Sequence, residues 1–207
     1  MLDSYDNLVK EIIVWSHRED LGVKIPDFIS LAENAIYSNE VAPLKIRSME
    51  KISTAATAGQ YVSLPSDFES ARSVRLVTGD NGGQLVFQAP EQMFKQIASG
   101  RPNFFTIIGN EVQLDRTPDS SYTLEIQYFR KEPQLSNLVQ TNAILTNHPS
   151  IYLYGALAQV YFYSQDGEQA QKYTQLFISA IKGANKADKK GRYGPAPSMS
   201  LDYGRPV

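Results

Sequence analysis

Cysteine is absent from the 207 residues. That excludes disulfides, thiolate nucleophiles and cysteine-ligated metals, and it suits assembly inside a cell. Histidine is nearly absent too, with only His17 and His148. One falls near the end of an expected helix and the other near the start of another, where capping or surface roles outweigh catalysis. No apolar run approaches the roughly 20 residues of a membrane span, so no membrane partner is expected. Neither sign of charge dominates: 20 Lys and Arg stand against 22 Asp and Glu, a net charge of −2. The whole molecule therefore lacks the basic balance of a nucleic-acid binder. The opening Met1-Leu2-Asp3-Ser4-Tyr5-Asp6 is acidic and polar, so no secretion signal is expected.

What is present points to a folded protein. Hydrophobic residues make up 42%, enough for a core and too many for a disordered chain. The length suits one compact domain or two small lobes. Charge is unevenly placed: Lys182 to Val207 holds six basic and two acidic residues, a net +4, which leaves −6 for the remainder. From Gly191 to Val207 the chain carries three prolines and three glycines, so it reads as an extended segment rather than helix or central strand. It also carries Tyr193, Met199, Leu201 and Tyr203 between Arg192 and Arg205. Spaced apolar anchors on a basic ribbon suit a segment that orders on another protein. The plainer alternative is a disordered terminus.

Periodicity predicts an α+β fold: an α-helical bundle from N- and C-terminal helices, with an inserted antiparallel β region and an extended C-terminal tail. The expected segments are 1–43 (helical pair), 44–132 (β region with one short helix), 133–190 (second helical pair) and 191–207 (docking tail). Ser4 to His17 places Tyr5, Leu8, Val9, Ile12 and Ile13 on one face, with Asp3 or Ser4 as cap. Ile25-Pro26-Asp27 opens a second helix whose stripe is Phe28, Leu31, Ala32, Ala35 and Ile36. The period then shifts to two. Strands are predicted from Leu44 to Thr54, with Tyr61–Leu64 as its return, across Gly79–Gly83, and as a hairpin around Gly109-Asn110. Tyr122 to Phe129 alternates most cleanly. A short helix is predicted from Ala89 to Ile97, and one helical turn from Asn142 to Leu145. Pro149–Gln165 and Glu168–Ala187 read as helices, with inward Ile151, Leu153, Tyr154, Leu157, Ala158, Tyr161 and Phe162 in the first, and Ala170, Tyr173, Leu176, Phe177, Ala180 and Ile181 in the second.

The search for chemistry returns little. Gly79-Asp80-Asn81-Gly82-Gly83 lacks the lysine and strand-to-helix setting of a P-loop. Glu111, Asp115 and Asp119 alternate as solvent-facing hairpin positions would, and Glu125 fits a half-exposed sheet. No catalytic, cofactor or metal site is expected, and no enzyme. Core packing with hydroxyls reaching the rim accounts for most tyrosines of the last two helices; Tyr152 and Tyr163 fall off the main apolar stripe of their helix, so they are the candidate subunit interface. Lys182, Lys186, Lys189 and Lys190 suit a solvated helix end whose cations complement the dipole; contact with DNA phosphates is the alternative.

Five segments in order carry a resemblance: Tyr5-Asp6-Asn7-Leu8; Ile25-Pro26-Asp27-Phe28-Ile29-Ser30-Leu31-Ala32-Glu33; Gly59-Gln60-Tyr61-Val62-Ser63-Leu64-Pro65-Ser66-Asp67-Phe68; Gly100-Arg101-Pro102-Asn103-Phe104-Phe105-Thr106-Ile107; and Leu153-Tyr154-Gly155-Ala156-Leu157. Together they resemble the head-to-tail adaptor, or connector, proteins of short-tailed bacteriophages, over roughly Tyr5 to Ala187. The resemblance implies a structural virion protein, assembled in the host cytoplasm and placed in the tail neck. Such adaptors form a ring, typically of twelve copies, beneath the portal protein. Their helical part packs against neighbours, their C-terminal segment grips the portal, and their β region faces tail or nozzle proteins. DNA passes through the channel without sequence-specific binding. On this reading Arg192, Tyr193, Met199, Leu201, Tyr203 and Arg205 are the portal-docking residues. The alternatives are a nucleic-acid-binding module using the basic end and, more remotely, a wall-degrading enzyme, for which no convergent carboxylate pair stands out.

Overall fold

The structure is a computed structural model that describes residues 2–38, 43–77, 82–93 and 99–193, the side chains of Arg192 and Tyr193 excepted. The chain forms two units: residues 1–47 with 133–207, and residues 48–132. Helices from both ends of the chain thus share one unit.

In the helical unit, α1 (Tyr5–Ser16) begins where the Ser4 hydroxyl accepts the Asn7 N–H at 3.3 Å, satisfying one of the donors a helix start leaves open. After a 3₁₀ turn at Glu19–Lys24 comes α2 (Ile25–Ser38), with Pro26 in its first turn. The return enters α3 (Ala143–Asn147), capped by Asn142, whose Oδ1 accepts the Leu145 N–H at 2.9 Å. Then follow α4 (Pro149–Tyr163) and α5 (Gly167–Tyr193).

The centre of this unit is α4, which packs against α1, α2, α3 and α5. Its sequence is apolar nearly all round, the signature of a surrounded helix rather than a one-sided one. Ile151, Tyr152, Leu153, Ala156, Leu157 and Val160 are all buried. Gly155 lets the neighbours close in: a Cβ there would lie 3.0 Å from both Ala32 Cβ and Phe177 Cε2.

Several expected faces are corrected. Leu31 and Leu176 are exposed, while Ile29 and Glu33 are inside. Phe162 is 76% exposed rather than inward. Tyr152, expected off the stripe, is in the core. A helix surrounded on most sides has no single stripe, so periodicity does not separate inside from outside there.

The described residues of the second unit form two four-stranded sheets. One has the order β1-β8-β3-β4 and the other β2-β7-β6-β5. The strands are β1 (Glu50–Ala56), β2 (Tyr61–Ser63), β3 (Phe68–Leu76), β4 (Gly83–Gln84), β5 (Val86–Phe87), β6 (Phe104–Ile108), β7 (Glu111–Leu114) and β8 (Thr123–Arg130). Among the described residues all pairings are antiparallel except β5 with β6. The alternation read in β8 is real: Leu124, Ile126 and Tyr128 enter a core shared with Val62, Leu64, Val74, Leu76, Phe105, Val112 and Leu114. Strand β6 turns into β7 through Gly109, whose φ of 59° suits glycine.

Here too expectations are revised. The strand starts at Glu50, after a 3₁₀ turn at Arg47–Met49, not at Leu44. β2 does not return along β1; it pairs with β7, and β1 pairs with β8. Of the helix expected at 89–97, the described part is one 3₁₀ turn at Pro90–Gln92; 94–98 lie outside the described residues.

Candidate interaction surfaces

The resemblance segments take their physical meaning from contacts. Leu64-Pro65-Ser66-Asp67-Phe68 is the corner between the two sheets. The Phe68 N–H donates to the Pro65 carbonyl at 3.0 Å, closing the turn. Asp67 Oδ1 accepts the Tyr128 hydroxyl at 2.7 Å and its Oδ2 pairs with Lys51 at 2.8 Å. Burial alone would raise the Asp67 carboxyl, but the Lys51 and Tyr128 hydrogen bonds outweigh it and hold it below the usual carboxylate range. Tyr128 is pushed up to about 12, first by burial and then by donating to Asp67. The Phe68 ring packs at 5.6 Å from Tyr128. In the Gly100–Ile107 segment, Gly100 N–H donates to the Thr117 carbonyl at 3.0 Å, and Asn103 carbonyl accepts from Val86 at 3.0 Å.

Asp115 differs from its expected solvent-facing role. It is 2% exposed, and its Oδ1 accepts the N–H groups of Asn103 at 3.0 Å and Phe104 at 3.3 Å. Arg116 Nε holds its other oxygen at 2.9 Å. Asp119 accepts the Tyr122 hydroxyl at 2.7 Å, and Glu125 pairs with Arg75 at 2.7 Å. These carboxylates brace the fold rather than converge. Among the described residues no cluster of three or more His, Asp or Glu is placed to hold a metal.

Sequence reasoning missed a buried polar network in the helical unit. Glu33 on α2 is 4% exposed. Its Oε1 accepts the Leu135 N–H at 2.8 Å and the Tyr152 hydroxyl at 3.4 Å. Asn142 Nδ2 donates to the Tyr152 oxygen at 2.7 Å and to the Pro133 carbonyl at 3.0 Å. Burial pushes the Glu33 carboxyl above its ordinary value, while the Leu135 and Tyr152 hydrogen bonds pull it back. A glutamate at an inward helical position was the available signal; only the fold supplies its partners. The network also settles Tyr152. A ring 1% exposed within the single chain has no surface for a neighbour, so its expected interface role is withdrawn.

The exposed aromatics lie elsewhere. Tyr163 packs against Phe28 at 5.5 Å, with Lys24 Nζ 5.6 Å from its ring centroid. Phe28, Leu31, Phe162 and Tyr163 line an open, largely apolar groove that Gln165 and Gly167 close. On α1, Trp15 lies 6.4 Å from Tyr154, and Tyr161 stacks on Tyr173 at 5.2 Å. Lys182, Lys186, Lys189 and Lys190 are exposed along the end of α5.

Of the expected docking residues, Arg192 and Tyr193 belong by backbone to α5, which continues past Lys190. The expected start of an extended tail at Gly191 is thus corrected. One interior glycine costs a helix only about 1 kcal/mol, and the first proline comes at Pro195. Met199, Leu201, Tyr203 and Arg205 lie outside the described residues. His148 begins α4, and burial holds its imidazole below the ordinary value against the pull of Asp188.

No curated protein matches the chain. Residues 3–198 match the family described as SU10 adaptor protein. That span takes in every segment of the resemblance, with the corner, the Gly155 crossing and both units. The chain therefore belongs to the SU10 adaptor protein family, the phage head-to-tail adaptors, and is a structural phage protein.

Proposed function

We propose that this adaptor forms a ring between the capsid portal and the tail or nozzle, around the channel through which DNA passes. The observation that carries this reading is the family match across residues 3–198. In the ring, twelve copies are expected. The segment from Arg192 onward, with Tyr193, Met199, Leu201, Tyr203 and Arg205, grips the portal. Tyr163, with the exposed Phe162 and Leu31 beside it, faces the neighbouring copy, since aromatic residues clustered on a surface are typical of interface centres. The β unit meets the tail proteins. Each tail alone binds weakly after its ordering cost, and repetition around a ring multiplies that into stable attachment.

The test mixes the purified chain with its portal ring and sizes the product by light scattering. A discrete heavier complex is expected, and removal of residues 191–207 abolishes it while leaving a folded core. An undiminished complex without the tail sinks the docking assignment. Salt-sensitive DNA binding by the free chain, with no portal complex, would instead favour a nucleic-acid module using the exposed lysines of α5.

A further inference from the structure

The last turns of α5 hold the segment through which the chain leaves the helical unit. Asn185 Oδ1 accepts the Lys45 N–H at 2.9 Å, and Asn185 Nδ2 donates to the Pro43 carbonyl at 2.9 Å. One turn later, Asp188 Oδ1 accepts the Arg47 N–H at 2.9 Å. The Leu44 N–H goes elsewhere, to the Ile36 carbonyl at 3.1 Å. Leu44 and Ile46 are buried, so side-chain packing positions this segment while α5 satisfies its alternate backbone groups.

The same stretch of α5 is mostly solvent-facing among the described side chains. Among the described side chains of α5, Ala184 is the last buried one; Lys186, Ala187, Lys189, Lys190 and Gly191 are exposed. Nine residues from 185 to 193 are too few to sustain a helix alone. Continuity with the buried part of α5 and the bonds of Asn185 and Asp188 contribute to their order.

We propose that the end of α5 and the 43–47 segment form one coupled element, in which the helix end and the Lys45 and Arg47 hydrogen bonds are made or lost together. Because Tyr193 is the root of the C-terminal segment, a partner engaging that segment acts on 43–47 through this clip. Holding residues 189–193 helical tightens it; drawing them into extended chain releases it. By linkage the effect is reciprocal: loosening 43–47 weakens the helix end by the same factor. The coupling is internal to the chain and does not depend on which protein the tail binds.

The test is residue-resolved amide hydrogen exchange on the full chain. Lys189→Pro deletes the N–H that bonds the residue-185 carbonyl and clashes with it, unwinding the helix at the clip. Exchange at Lys45 and Arg47 is expected to rise at least tenfold, with Leu44 unchanged within about twofold. The double variant Asn185→Ala, Asp188→Ala, which removes both clip side chains without adding a helix breaker, is expected to speed exchange at Lys189 to Tyr193 as well as at Lys45 and Arg47. Unchanged Lys45 and Arg47 in Lys189→Pro, or unchanged helix-end amides in the double variant, overturns the coupling. Equal acceleration at Leu44 also overturns it, because it reports general loosening.

Discussion

Glu33 shows what one residue must satisfy to be buried. Its carboxylate answers the Leu135 N–H and the Tyr152 hydroxyl, and an amide oxygen at the same place still accepts both. Glu33→Ala leaves both donors unpaired and is expected to cost about 2–3 kcal/mol. Glu33→Gln keeps the acceptor without a buried charge. The folded-state pKa is raised above the ordinary 4.5, so the stability it contributes is fully present below 4.5 and is lost as pH rises through the folded value. Urea midpoints from pH 4.5 to 7 should therefore favour wild type over Glu33→Gln increasingly as pH falls. A constant difference across that range would contradict the assignment. Gly155 is the other residue whose neighbours decide. In an open helix Gly→Ala gains about 1 kcal/mol, but here the new methyl meets Ala32 and Phe177 at 3.0 Å. Gly155→Ala is expected to lose about 1 kcal/mol net, because overpacking costs about 1–3 kcal/mol; Gly155→Val should lose more. Stabilisation by Gly155→Ala in urea unfolding would mean that the helices move apart freely.

Among the elements, β8 joins the most constraints. It lies between β1 and β3 and sends Leu124, Ile126 and Tyr128 inward. The Tyr128 hydroxyl then reaches Asp67 at the corner before β3. Removing only that hydroxyl, with Tyr128→Phe, should cost about 1 kcal/mol, the usual net worth of one hydrogen bond, without altering the sheet. In absorbance titration the same variant should lose the tyrosine step raised to about 12, while Tyr152, pushed up further by its burial, still ionises after it. Loss of an earlier step would place another phenol there. The alternation of β8 was readable from residues 122–129. The partner of β2 was not, because a three-residue strand fits either sheet and only the core chooses.

For the molecule as a whole, the two units differ in how they use the chain. Residues 48–132 are continuous, with a core cluster of their own. Glu50 pairs with Phe129 across β1 and β8, so the fragment's ends meet as neighbours. The isolated 48–132 fragment is expected to fold cooperatively, seen as dispersed amide resonances and a single sigmoidal melt. A collapsed fragment without dispersion would show that it needs the helical residues. The helical unit has no such continuity, since α4 must find α1 and α2 across the whole β unit.

The sequence by itself determined the α+β class, the order of helices and strands, the β6–β7 turn at Gly109 and the inward face of β8. Each follows from local periodicity and backbone preference, which act over a few residues. It also determined, through ordered segments spread along the chain, the adaptor family. Tertiary structure alone decided that Tyr152 is core and Phe162 surface, because α4 is apolar on all sides and its neighbours choose. It decided that Asp115 and Glu33 are bracing groups, because their partners lie 12 and 102 residues away. It also decided that Asn185 and Asp188 reach back to residues 43–47. No spacing rule encodes a hydrogen bond across 140 residues; packing brings the two ends together.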